Sequence, residues 1–81
     1  MKILILEDET LAQERIKKIL NEIDSSMEIV GEIKSVAEGK KWFNENEHPD
    51  LIISDIRLLD GLSFEIYKDL QIETPIIFTT A

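Results

Sequence analysis

The sequence predicts an α/β fold built on a parallel sheet. Three observations carry that prediction. Short, continuous apolar runs alternate with stretches of helical periodicity from one end of the chain to the other. The first and third runs pass directly into acidic residues at their C-terminal ends, at Glu7-Asp8 and at Asp55. Finally, the order reads βαβαβαβ, and parallel strands require crossover connections, which are right-handed and lay helices on the sheet faces.

Residues 3–6, Ile-Leu-Ile-Leu, form the first strand, of the type buried on both faces. Thr10 with Gln13 fits a capping box. Ala12, Ile16, Ile19, Leu20 and Ile23 then share one helical stripe, with Glu14 and Lys18 paired outside it, so the first helix is expected over residues 10–23. Residues 27–33 mix charge and a glycine into a strand pattern, which suits an edge. Ser35 and Glu38 make a second capping box. It opens a helix carrying Val36, Ala37, Trp42 and Phe43, which ends near residues 44–47 ahead of Pro49. Residues 50–55 form the next buried strand. A turn at Leu59-Asp60-Gly61 leads to a helix with Leu62, Ile66 and Leu70 at spacing four, and residues 76–80 form the last apolar run.

The 81 residues make one domain at most, and a chain of this length buries only about 60–65% of its unfolded surface. With 43% hydrophobic and 32% charged residues it has the composition of a folded chain. The absence of cysteine removes disulfides, thiolate zinc sites and cysteine nucleophiles, and fits the reducing cytoplasm expected for this chain. The N-terminal apolar run meets Glu7 too early for a signal peptide or a membrane span. Nine basic against 17 acidic residues leave a charge of −8, which repels phosphate backbones, so direct nucleic-acid binding is not expected.

In an open parallel sheet the functional crevice lies beyond the carboxyl ends of the strands. That edge receives Glu7, Asp8, Asp55, Thr79 and Thr80. Crowded carboxylates repel one another unless a cation compensates, and hard oxygen ligands suit Mg²⁺. One carboxylate can then act as a nucleophile toward phosphorus, and Asp55, alone at its strand end, is the better candidate. Individually these residues have plainer readings. Asp8 serves equally as a helix cap, Asp60-Gly61 as a turn, and threonine is a common strand residue.

Leu4-Ile5-Leu6-Glu7-Asp8-Glu9, Asp50-Leu51-Ile52-Ile53-Ser54-Asp55-Ile56-Arg57-Leu58-Leu59-Asp60-Gly61 and Pro75-Ile76-Ile77-Phe78-Thr79-Thr80-Ala81 together resemble the receiver domain of bacterial two-component response regulators. The turn Asp60-Gly61-Leu62-Ser63-Phe64-Glu65-Ile66 is most similar to receivers of the LytR/AlgR class, whose output domain is a DNA-binding LytTR type. The resemblance implies a flavodoxin-like (CheY-like) doubly wound sheet of strand order 2-1-3-4. It further implies Asp55 as the acceptor of a phosphoryl group from a histidine kinase, Asp8 as a direct Mg²⁺ ligand and Glu7 as a ligand through water. The backbone carbonyl of Arg57 becomes the remaining protein ligand, Thr80 the switch hydroxyl, and Ala81 the small residue beside it. Against that pattern residues 1–81 are expected to be an incomplete receiver, lacking the fourth helix, the fifth strand with its essential lysine, and the fifth helix. Lys2 begins the first strand and so cannot replace that lysine.

Mg²⁺-dependent signalling by phosphorylation is therefore the expected function, with transcriptional regulation as its output in the full-length protein. A homodimer or swapped assembly, and a non-phosphorylated interaction module or inactive fragment, are the alternatives. A phosphatase of the haloacid-dehalogenase type is excluded, because Leu6 occupies the position its nucleophilic aspartate needs.

Overall fold

The computed structural model describes residues 1–79. Its elements are β1 (Lys2–Leu6), α1 (Thr10–Ile23), β2 (Glu28–Ile33), α2 (Val36–Glu45), β3 (Leu51–Asp55), β4 (Arg57–Leu58), β5 (Gly61–Leu62), α3 (Phe64–Tyr67) and β6 (Ile76–Thr79). Four strands form a parallel sheet in the order β2-β1-β3-β6, while β4 and β5 pair antiparallel as a separate ribbon. The expected description as an incomplete, four-stranded βαβαβαβ fragment does not hold. Six strands and three helices are present among the described residues.

Alternation along the strands divides the core between the two sheet faces. Ile3, Ile5 and Ile53 face Leu20 of α1, whereas Leu4, Leu6 and Ile52 pack with Ile33, Val36, Phe43, Leu58 and Ile66 on the opposite side. β1, at the centre, buries Ile3, Leu4, Ile5 and Leu6 completely. β2 forms one edge and is far less buried, with a register shift opposite Ile3 and Leu4. A side chain at Gly31 in this strand would meet the Trp42 ring at 2.8 Å and Leu4 at 2.9 Å, so the bare backbone admits the tryptophan.

Three local expectations change in the folded chain. Gln13 does not close a capping box with Thr10. Glu9 occupies the N-cap without a side-chain bond, and Gln13 is buried, donating its amide to the Glu7 carbonyl at 2.6 Å. Lys17, rather than Lys18, pairs with Glu14 at 3.1 Å and reaches across to Glu32 of β2. The third helix is a single turn, because Leu62 is drawn into the β4–β5 ribbon opposite Arg57 and Gly61 adopts φ +154° before it. The Ser35 cap is present: its hydroxyl accepts from the Glu38 N–H at 3.1 Å.

Gly39 makes a testable contact. A Cβ there would collide with Cδ1 of Ile66, which is 1% exposed, so α2 and α3 close on each other only over a glycine. Alanine would gain up to about 1 kcal/mol of helix propensity, but overpacking a filled core costs about 1–3 kcal/mol. Gly39→Ala is expected to destabilise the fold in urea titrations, and adding Ile66→Val, which removes the obstructing methyl, is expected to restore part of the loss.

Candidate functional site

The parallel register brings the carboxyl ends of β1, β3 and β6 to one edge. Leu6 pairs with Ser54, and Asp55 pairs with Thr79. Glu7 follows β1 directly and is fixed by backbone bonds on two sides: its N–H donates to Ile33 at 2.8 Å, and its carbonyl receives the Gln13 amide. Sequence reasoning gave Gln13 only a capping role. Its burial beside an acidic strand end is a tertiary property with no local signal.

Glu7, Asp8 and Asp55 come together. Each offers a carboxylate oxygen, and the three oxygens lie within 4.8 Å of one another. Glu7 and Asp55 are each only 8% exposed, and Asp8 is half-buried. Burial, hydrogen bonds shared with Asp55 and Asp8, and the Asp55 charge push the Glu7 carboxyl up to about 7, against the opposing pull of a backbone bond from Glu9. The Glu7 carboxylate also accepts the Asp8 N–H at 2.9 Å. Three oxygen donors crowded this closely, with no ion pair to a basic side chain among the described residues, have the chemistry of a hard divalent cation site, so the residues present fit Mg²⁺.

Asp55 is held by its surroundings as well as by its strand. Its Oδ1 accepts a long bond from the Arg57 N–H at 3.4 Å, and its carbonyl accepts from the buried Ser54 hydroxyl at 2.9 Å, which in turn receives the Tyr67 hydroxyl at 2.9 Å. Burial pushes the Tyr67 phenol up to about 12, so it remains a donor in that chain. Thr79 is half-buried and lines a cavity of about 460 Å³ with Glu7, Asp55, Arg15, Ile16 and Ile19. Thr80 and Ala81 lie outside the described residues. Lys2 stands at the opposite edge, its N–H bonded to Asp50 Oδ2 at 2.7 Å. His48 is also away from the acids, edge-on to Phe43 with ring centroids 5.5 Å apart.

Comparison with known proteins agrees with this geometry. The model of the response regulator receiver domain matches residues 3–81. The chain belongs to the response regulator receiver family. It is a signalling domain rather than an enzyme. Its relatives include the sensory transduction protein LytT of Bacillus anthracis, 34% identical over all of this chain and 33% of the relative. They also include the phyllosphere-induced regulator PhyR of Methylorubrum extorquens, 34% identical over 99% of this chain and 30% of that protein. The receiver thus spans about a third of the length of these curated relatives. Among solved structures, the MaeR response regulator bound to beryllium trifluoride superposes with a TM-score of 0.83 and 27% identity, covering 100% of this chain and 67% of its own. PhyR from Bartonella quintana, complexed with the anti-sigma factor NepR, superposes with a TM-score of 0.77 and 28% identity over 95% of this chain and 32% of its own.

These findings correct two expectations. The expectation of a truncated LytR/AlgR-class receiver gives way to a receiver whose family match covers residues 3–81 and whose structural relatives include PhyR-type, anti-anti-sigma-factor regulators. A LytTR-type DNA-binding output as the partner does not stand either, because the partner seen with a structural relative is an anti-sigma factor. Among the described residues no helix is long and apolar enough to cross a membrane.

Proposed function

We propose that this receiver accepts a phosphoryl group on Asp55 in a Mg²⁺-dependent step and passes the resulting change to a protein partner. The observation that carries this reading is the approach of the Glu7, Asp8 and Asp55 carboxylate oxygens to within 4.8 Å at one sheet edge. Asp8 and Asp55 would hold the cation directly, Glu7 through water, and the Arg57 carbonyl would complete the protein ligands. When bound, Mg²⁺ supplies positive charge that offsets the clustered carboxylates and the incoming phosphoryl oxygens.

An Asp55 carboxylate oxygen attacks phosphorus. The new O–P bond forms as the bond to the donor breaks, and the bonding electrons leave with the donor, a phosphohistidine or a small acyl phosphate. Glu7, relieved of its proton, counterbalances the cation beside the nucleophile. Gln13 holds the Glu7 main chain so that this carboxylate stays on the crevice side of β1. The Thr80 hydroxyl is assigned the switch, and Ala81 the small residue beside it. An anti-sigma factor is the partner class this reading favours, supported by the complex formed by Bartonella quintana PhyR.

Incubation with a small acyl phosphate, followed by intact-mass measurement, tests the proposal. A single phosphoryl adduct that forms with Mg²⁺ and fails to form with a chelator is expected. An adduct formed equally well in chelator would contradict it.

A further inference from the structure

Asp60 lies at the turn of the β4–β5 ribbon, outside the acidic cluster, yet both its carboxylate oxygens are engaged. Oδ1 accepts the Val36 N–H at 2.5 Å and Oδ2 accepts the Ala37 N–H at 3.1 Å, so a residue 24 and 23 positions further along the chain caps the first turn of α2. A helix start leaves several N–H groups without partners, and Ser35 accepts only that of Glu38. Asp60 therefore completes the cap from another element. Those bonds, led by the one from Val36, also hold its carboxyl below the usual carboxylate range.

The ribbon so fastened begins at Arg57, two residues past Asp55. Its other attachments include Leu58, buried in the core, the Leu59 N–H, which donates to the Lys34 carbonyl at 3.2 Å, and the Ser63 N–H, which donates to the Ile56 carbonyl at 2.9 Å and closes the base of the ribbon. At the far end of the ribbon, the doubly bonded Asp60 carboxylate ties the turn to the start of α2. The Arg57 N–H reaches Asp55 Oδ1 at 3.4 Å, near the limit of a useful hydrogen bond, so a slight shift of the ribbon breaks it.

We infer that Asp60 is a positioning residue for the phosphoacceptor site: by bonding the start of α2 it holds the β4–β5 ribbon, and with it the Arg57 main chain, in place against Asp55. This rests on the proposed role of the acidic cluster and adds a residue that touches neither cation nor phosphoryl group.

The test compares Asp60→Ala, Asp60→Asn and Ser35→Ala with the unaltered chain, using Mg²⁺ titration calorimetry and the amide NMR resonance of Arg57 in metal-free protein. Ser35→Ala removes a neighbouring cap bond of α2 without touching the ribbon. Asp60→Ala is expected to displace the Arg57 resonance and weaken Mg²⁺ binding about tenfold, the size typical when a group supporting a metal ligand is lost. Asp60→Asn, which keeps an acceptor oxygen, is expected to recover most of the affinity, while Ser35→Ala stays within about twofold of the parent. An unmoved Arg57 resonance in Asp60→Ala, or equal weakening by Ser35→Ala, overturns the inference. If Asp60→Ala does not fold, the Arg57 resonance and affinity of Asp60→Asn against Ser35→Ala decide in the same way. Absence of Mg²⁺ binding by the unaltered chain would instead refute the proposed site, leaving the metal-free Arg57 resonance to judge the tether.

Discussion

Asp55→Asn is expected to abolish phosphoryl labelling, by about a thousandfold or more, and at the same time to stabilise the fold. The first effect follows from chemistry: an amide oxygen is a poor nucleophile, and no neighbour substitutes for it, since Glu7 and Asp8 are assigned to the cation. The second follows from electrostatics. Asp55 contributes both a hydrogen bond and a charge to the raised Glu7 carboxyl, so removing its charge lets Glu7 ionise more easily. Urea unfolding at pH 8 without metal is expected to show a gain of about 1 kcal/mol for Asp55→Asn. A variant that is both inactive and less stable would place Asp55 among structural residues instead.

A pH dependence of the same origin is the second large effect. The Glu7 carboxyl titrates at about 7 in the fold against 4.5 for an ordinary glutamate, so its contribution to stability is fully present below pH 4.5 and is lost as pH rises through about 7. The loss on complete ionisation is of order 2–3 kcal/mol, a large part of the stability of a domain this small. Mg²⁺ reverses the sign of the local balance, because it favours the ionised cluster. Denaturation midpoints are therefore expected to fall between pH 5 and pH 8 in chelator and to recover at pH 8 when Mg²⁺ is added. The dependence in chelator is expected to be much weaker in Glu7→Gln, which carries no proton to lose.

The parallel architecture was legible because its signals are local and repeated: uninterrupted Ile and Leu runs that end in acid, separated by helical stripes. The acidic cluster was legible for a related reason. Glu7-Asp8 follow β1 directly and Asp55 is the last residue of β3, and parallel register then forces those ends to the same edge. What escaped was set by contacts between distant segments. The β4–β5 ribbon has strands of two residues each, too short for any periodicity, and Leu62 was read into a helix that begins only at Phe64. Of the residues on the helix-one stripe, Ile19 and Ile23 are 51% and 69% exposed in the folded chain, and Leu20 and Ile16 face the sheet.

The subclass assignment failed for a physical reason too. It rests on the turn from Asp60 to Ile66, where four residues have tasks in the shared fold. Asp60 caps α2, Gly61 supplies a positive φ, Leu62 pairs with Arg57, and Ile66 fills the space over Gly39. Residues recruited to hold a common scaffold together carry little information about what the scaffold is attached to.

The central claim is that the phosphoryl group resides on Asp55. Tandem mass spectrometry of the chain labelled by an acyl phosphate in Mg²⁺, digested under conditions that preserve acyl phosphates, locates it directly. The adduct is expected on the peptide containing Asp55, at Asp55 itself. An adduct on Glu7, Asp8 or any residue outside this cluster would contradict it.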